Sequence, residues 1–251
     1  MEHSIGANTL FLIGGFPFTN TMLACVLVSL LMIFVALIVR SKLSIDRPGK
    51  LQTIVELIVD YIYGLCLSIA DKKRAQSFFP WMITFFLFII LNNVIGLFPG
   101  FGHIAYTNAE GHEIALLKGA TSDLNLTFAL GVVSFGLLEF YGFKMVGVKG
   151  WLKHYFHTKP IYILPIFIFV GVLELVLEPV KSLSLAFRLF GNVMAGETLV
   201  SAMSVINGTP VLLAAVPFLL LEMLVAFVQA LVFTLLTLTF ISMITAPSEE
   251  H

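Results

Sequence analysis

Seven ionisable side chains, Glu139, Glu174, Glu178, Lys181, Arg188, Glu197 and Glu222, lie inside long apolar runs of this chain. Carboxylates take up and release protons, whereas an arginine keeps its charge, because its pKa stays above about 12 in proteins. The chemistry open to such a set is to hand a cation from carboxylate to carboxylate and to stop it at a fixed positive charge. Arg188 stands in the stretch Leu183-Ser-Leu-Ala-Phe-Arg188-Leu-Phe-Gly-Asn192. An arginine at the centre of a membrane helix costs about 2.5–3.5 kcal/mol on insertion scales, so groups of this kind mark function by default. Gluing helices together is a weak alternative reason to keep them, since interhelical polar contacts average only about 0.6 kcal/mol.

Helix geometry sorts these groups. At about 100° per residue, Glu174, Lys181, Arg188 and Asn192 fall within roughly 40° of one another and form one polar stripe. Glu197, nine residues after Arg188, points about 180° away. The arginine and that carboxylate therefore serve two different surfaces and are not a salt bridge. Further along, Glu222 and Gln229 are seven apart and share a face. Gln229 is placed to hydrogen-bond a guanidinium across a helical hairpin, and Glu222 to face Glu197. Carboxylates on two faces, reached by water from opposite sides, suggest two half-pathways for a cation. Neither half alone crosses the membrane, so a mobile partner protein is implied.

The elements that position these residues follow from hydropathy. The chain has 251 residues, 59% of them apolar and only 12% charged, against roughly 45–50% and about 25% for soluble domains. The solvent for so much apolar surface is lipid, and the chain reads as a single all-α polytopic membrane domain over 1–251. A spanning helix needs about 20 apolar residues. Residues 21–39, 78–98 and 124–143 meet this, the first stopped by Arg40, Lys42 and Arg47. Residues 51–70 carry Glu56 and Asp60 four apart on one face and read as an interfacial amphipathic helix.

The stretches 161–206 and 210–246 are too long for simple spans, about 69 and 55 Å as single helices against a hydrocarbon core of about 30 Å. Either each breaks in two, or both lie steeply tilted as a hairpin turning at Asn207-Gly208-Thr209-Pro210. The hairpin is favoured, because only glycines and Pro179 interrupt the first stretch. With about five crossings, eleven Lys and Arg fall on one side, seven within 40–77 and four within 144–160, and Lys118 alone on the other. The positive-inside rule then puts the N-terminus outside and the C-terminus inside.

Other chemistries find little support. Cys25 and Cys66 are too far apart for a zinc motif and read as small hydrophobes. His103, His112, His154 and His157 fall in loops without metal-site spacing, so neither a metal nor a cofactor is expected. No H-E-x-x-H or G-x-S-x-G is present, which argues against an intramembrane enzyme. Nothing in the chain suggests a nucleic-acid partner. Residues 1–18 lack the basic region of a signal peptide and the arginines of a transit peptide. Competing readings are a proton-pumping subunit of a redox-driven complex, which would expect broken-helix repeats, and a non-transporting assembly protein.

Leu185-Ala-Phe-Arg188-Leu-Phe-Gly-Asn192, followed by Ala195-Gly196-Glu197, resembles the signature helix of subunit a of the F-type ATP synthase. Gln229-Ala-Leu-Val-Phe233 resembles the matching segment of its final helix. Pro48-Gly-Lys-Leu-Gln52 leading into Val55-Glu56, and Asn92-Asn-Val-Ile-Gly-Leu-Phe-Pro99, are similar to further segments in the same order.

The resemblance implies a non-catalytic, ion-translocating stator subunit, with the hairpin against a rotating ring of c subunits. Peripheral-stalk b subunits and the other ATP synthase subunits would be further partners. It implies that Arg188 faces the ring as the charge barrier, with Gln229 supporting it and Asn192 nearby. Glu197 and Glu222 would belong to one aqueous half-channel, and Glu174 and Glu178 are placed where channel acids are plausible. Many relatives pair an acid with a histidine at the positions of Glu197 and Glu222. This chain has glutamate at both, and two close carboxylates can share one proton. A bacterial plasma (inner) membrane is the expected location, with an organelle inner membrane as the alternative.

Overall fold

The computed structural model describes residues 9–44, 48–97, 105–107, 113–115, 118–155, 164–204 and 211–246. Six α-helices dominate these residues: α1 (Asn20–Ser41), α2 (Lys50–Ile69), α3 (Lys72–Leu97), α4 (Leu124–Tyr155), α5 (Leu164–Ser204) and α6 (Val211–Ile244). The strands among the described residues are two short antiparallel hairpins, β1 (Thr9–Ile13) with β2 (Phe16–Thr19), and β3 (Ala105–Thr107) with β4 (Glu113–Ala115). The chain is an all-α, multi-pass membrane protein.

Among the described residues, five helices are long and apolar enough to cross a membrane: α1, α2, α3, α4 up to Val148, and α6 from Val216. The set includes α2, which the sequence pattern assigns to the interface. Glu56 and Asp60 both lie on its exposed side. Its C-terminal half carries the contacts, with Ile62 and Cys66 in the core. The set omits α5, whose charges dilute its hydropathy.

Neither long helix is broken within the described residues. The 41 residues of α5 run through Pro179, and the 34 of α6 run through Pro217. Their lengths, about 61 and 51 Å, oblige them to lean within the bilayer or to project beyond a core about 30 Å thick. They pack antiparallel. Lys181 sits over the Phe240 ring, Asn192 bonds Gln229, and Gly196 meets Glu222, so numbers rise on one helix as they fall on the other. The expected turn at Asn207–Pro210 lies outside the described residues.

The core forms where α3 and α6 interdigitate. On α3, Phe78, Met82, Phe85 and Ile89 recur at helical spacing and are fully or nearly buried. On α6 the same periodicity appears in Ala226, Ala230, Phe233, Thr237 and Ile241. Phe85 and Phe233 meet edge to face with ring centroids 5.5 Å apart, a geometry preferred by aromatic quadrupoles. α5 adds Leu185 and Leu189, and α4 adds Leu137, Leu138 and Tyr141. In contrast, Leu30, Ile33, Phe34 and Leu37 of α1 are exposed, as suits a lipid-facing helix.

Two polar links fix the starts of α1 and α4. Thr19 caps α1 by accepting from the Met22 N–H, which satisfies one of the donors a helix start leaves open. Asp123 accepts from the Asn125 N–H through one carboxylate oxygen and from the Thr21 hydroxyl, at 2.7 Å, through the other. The starts of α1 and α4 are thereby tied to the same carboxylate.

At its other end α4 does not stop at residue 143. It continues to Gly147, whose φ of 76° is left-handed, and a second helical piece then runs to Tyr155. Glycine carries this turn at no steric cost, which a β-carbon would incur.

Candidate functional site

The five candidate carboxylates separate into two groups at different positions along α5, with Arg188 between them. The first group lines a cleft where α3, α5 and α6 meet. Asn192 and Glu197 enter it from α5, Glu222 and Gln229 from α6, and Asn93 and Gly96 from α3. Asn192 donates its side-chain amide to the Gln229 carbonyl oxygen at 2.8 Å. The Glu222 carboxyl lies directly against Gly196, in the space a β-carbon would fill there. Lys118, from the segment just before α4, reaches the Glu197 carboxylate at 3.8 Å.

Several buried atoms of this cleft have no protein partner among the described residues. They are both amide atoms of Asn93, Nε2 of Gln229 and Oε2 of Glu222. An unpaired buried polar atom costs about 1–3 kcal/mol, so such atoms are rare in packed interiors. Clustered around one cleft, they make a lining suited to a hydrated, ion-carrying path.

The second group lies at the other end, where α4 meets α5. Glu178 is buried and accepts a hydrogen bond from the Tyr155 hydroxyl. Its carboxyl also neighbours that of Glu139, which accepts from the Trp151 indole N–H at 2.9 Å. Glu174 stands one turn before Glu178 on α5, half-buried. Tyr155 lies beyond the spanning part of α4. Burial, and then the adjacent Glu178 carboxylate, push its hydroxyl well above the ordinary tyrosine range. The phenol therefore stays protonated and acts as a donor.

Arg188 belongs to neither group. It is exposed, among the exposed Phe187, Gly191 and Asn192, and it makes no hydrogen bond or ion pair with another described residue. The position predicted to support it, Gln229, is buried and turned to Asn192 instead. The physical reason is proximity across the hairpin. Asn192 is one turn further along α5 and opposes Gln229 across the hairpin, while the Arg188 side chain points outward. Lys181, on the same stripe, is exposed and lies 5.7 Å over the Phe240 ring.

Sequence reasoning left out four residues that the fold brings to these groups. Asn93 had a signal, since two adjacent amides in the apolar run of α3 are unusual, but nothing assigned it a partner. Lys118 counted only as a loop charge. Trp151 and Tyr155 had none, because their approach to Glu139 and Glu178 depends on the turn at Gly147. Among the described residues, no group of three or more His, Cys, Asp or Glu is arranged to hold a metal ion.

Comparison with known proteins adds independent evidence. A family model described as ATP synthase A chain matches residues 22–242. The ATP synthase subunit a of Desulforamulus reducens is 31% identical over 214 residues, covering 83% of this chain and 72% of that protein. The subunit a of Moorella thermoacetica is 30% identical over 233 residues, covering 93% and 94%. That of Bacillus subtilis is 28% identical over 241 residues, covering 90% and 91%. With the family model spanning most of the chain, and the arginine helix inside the matched region, the chain belongs to the ATP synthase A chain family.

Proposed function

We propose that this chain is the ion-conducting stator subunit of the membrane sector of a rotary ATP synthase, with two aqueous half-paths divided by Arg188. The observation that carries this reading is the position of Arg188, exposed and without a counter-charge among the described residues, between two carboxylate groups. Glu178 and Glu197 are 19 positions apart on an unbroken helix, roughly 28 Å along its axis. Along that axis Arg188 lies about 15 Å from one and about 13 Å from the other.

An exposed guanidinium at that depth needs an occupant on its face that repays the cost of burying it. A carboxylate carried by a moving neighbour does so, and its proton is displaced as it meets the arginine. Protons then enter through one carboxylate group, travel on the partner, and leave through the other. The arginine blocks the direct route. The partner is a ring of c subunits, the static contacts are with peripheral-stalk b subunits, and the chain itself performs no bond chemistry. The location is the plasma membrane of a bacterium, with the N-terminus outside and the group around Glu197, Glu222 and Lys118 opening outward. The amphipathic α2 lies along the inner interface.

The test is Arg188→Ala in membrane vesicles containing the assembled complex. ATP-driven proton pumping is expected to disappear while assembly persists, with passive proton leak rising. Intact pumping in that variant would overturn the reading.

A further inference from the structure

The end of α4 folds back on itself. Between Glu139 and Tyr155 a straight helix would cover about 24 Å, yet both side chains meet Glu178. The left-handed turn at Gly147 makes this possible. After it, Trp151 stacks on Phe143 with centroids 4.8 Å apart and packs edge-on against Tyr155, also at 4.8 Å. The Trp151 ring lies against Gly142. Tyr155, at 1% exposure, is among the most buried large side chains in the protein. A short tail after a membrane span has no packing need to bury a phenol against a carboxylate.

We propose that residues 148–155 form a cap over the inner mouth of the ion path, in which Trp151 and Tyr155 are positioning residues for the Glu139 and Glu178 carboxylates. This rests on the reading of Glu178 as part of the inner half-path. The cap does two things. It covers two neighbouring carboxyls with aromatic surface, so that exchange with the inner aqueous phase passes through them and not around them. It also gives each carboxyl one donor, the indole N–H for Glu139 and the phenol O–H for Glu178. Two adjacent carboxyls tend to share one proton, and a donor to each favours the form in which one is ionised and ready to accept.

Among the described residues, the charged surroundings of Glu178 are few. On α5 they are Glu174, one turn before it, and Lys181, three residues after it. On α4 they are Glu139 and the Tyr155 phenol, while Lys144 is directed over the Phe140 and Tyr141 rings. The one ionisable side chain of α6, Glu222, sits in the outer group. The side chains of Lys149, Lys153 and His154 lie outside the described residues.

The experiment uses inverted membrane vesicles carrying the whole ATP synthase, in which the medium bathes the inner mouth. ATP-driven pumping is measured against medium pH, with ATP hydrolysis measured in parallel. Tyr155→Phe keeps the aromatic packing and removes the donor to Glu178. Losing a hydrogen bond to a charged carboxylate, about 1.5–3 kcal/mol, corresponds to a shift of ~1–2 pH units. The midpoint of pumping is expected to move to higher pH by that amount, because the carboxyl holds its proton longer, while the maximal rate is kept. Trp151→Phe is expected to shift it the same way, and it carries the test if the tyrosine variant fails to assemble. ATP synthesis against lumenal pH, which reports the outer mouth, is expected to be unchanged in both. A wild-type inner profile in the assembled variants, or a shift in the outer profile instead, overturns the cap. An unshifted Tyr155→Phe beside an inactive Arg188→Ala sinks the cap alone. Pumping that survives Arg188→Ala sinks the reading beneath it.

Discussion

The side-chain amide of Asn192 is bonded to the buried carbonyl oxygen of Gln229 at 2.8 Å, across the α5–α6 hairpin and one turn away from Arg188. The glutamine is thus held by the hairpin itself, and the guanidinium is left to face outward. A side chain that tethers the glutamine also keeps it from competing for the arginine. Asn192→Ala and Gln229→Ala should therefore show a coupling of about 0.5–1.5 kcal/mol in a double-mutant cycle. Thermal unfolding of the purified complex in detergent would measure it. Additive effects would mean that the two residues act separately, and that the hairpin is held by apolar packing alone.

Glu197 and Glu222 open into one cleft. If both belong to one proton path, replacing either by Gln should remove most of the pumping that replacing both removes. The rates of Glu197→Gln, Glu222→Gln and the double variant, measured in vesicles at equal complex content, give the comparison. Losses that multiply independently would assign the two carboxyls to separate steps.

Lys118 lies 3.8 Å from Glu197, with side-chain exposures of 19% and 30% for the pair. Such a partly exposed pair contributes little to stability, but it places a positive charge beside the carboxylate that the proposed path uses. Lys118→Glu is expected to slow pumping several-fold more than Lys118→Gln. The difference should shrink as outer ionic strength rises, because screening acts within about 8–10 Å at ordinary salt. Equal rates in the two variants at low salt would remove Lys118 from the path.

The helices and the two-faced arrangement of charges on α5 were legible because they depend on local periodicity. Arg188 and Glu197 are nine residues apart, and helix geometry alone sends them to opposite sides. The interfacial reading of 51–70 came from Glu56 and Asp60, and both are exposed, although α2 also has the length and composition of a span. Contacts set by tertiary approach could not be read this way. Gln229 was expected at Arg188 because a hairpin permits it, but the choice between Arg188 and Asn192 depends on which side chain faces inward at the crossing. Trp151 and Tyr155 were invisible for a stronger reason. A helix that continued straight past Gly147 would carry both away from Glu139 and Glu178. Only one glycine with a positive φ reverses that outcome, and Gly147-Val-Lys-Gly150 does not by itself announce a left-handed turn.

Gly147→Ala tests that reversal directly. At φ 76° and ψ 166°, a conformation essentially confined to glycine, a residue with a β-carbon costs about 1–3 kcal/mol, so the folded-back piece should open part of the time. Tryptophan fluorescence is the readout, since Trp151 would leave its stack on Phe143 and its emission should move to the red. Trp81, the chain's other tryptophan, is on the exposed face of α3 and serves as a constant background. An unchanged spectrum would show that the aromatic stack holds the segment without help from glycine.

Gly196 and Glu222 separate folding from function more cleanly than any carboxyl substitution. A β-carbon at Gly196 would overlap the carboxyl end of Glu222 and come within 3.0 Å of its Cγ. The obstructed atoms are the far end of a flexible side chain, so the chain can relieve the clash by rotating Glu222 and need not move a helix. In an exposed or half-exposed helix interior, glycine to alanine also gains about 0.5–1 kcal/mol of helix propensity. Gly196→Ala is therefore expected to keep or slightly raise thermal stability while cutting pumping several-fold, because Glu222 is turned out of the cleft it shares with Glu197. Glu222→Asp, combined with it, shortens the side chain by one methylene and should recover part of the rate. Pumping at the wild-type rate in Gly196→Ala would mean that the position of the Glu222 carboxyl against α5 has no part in carrying the ion.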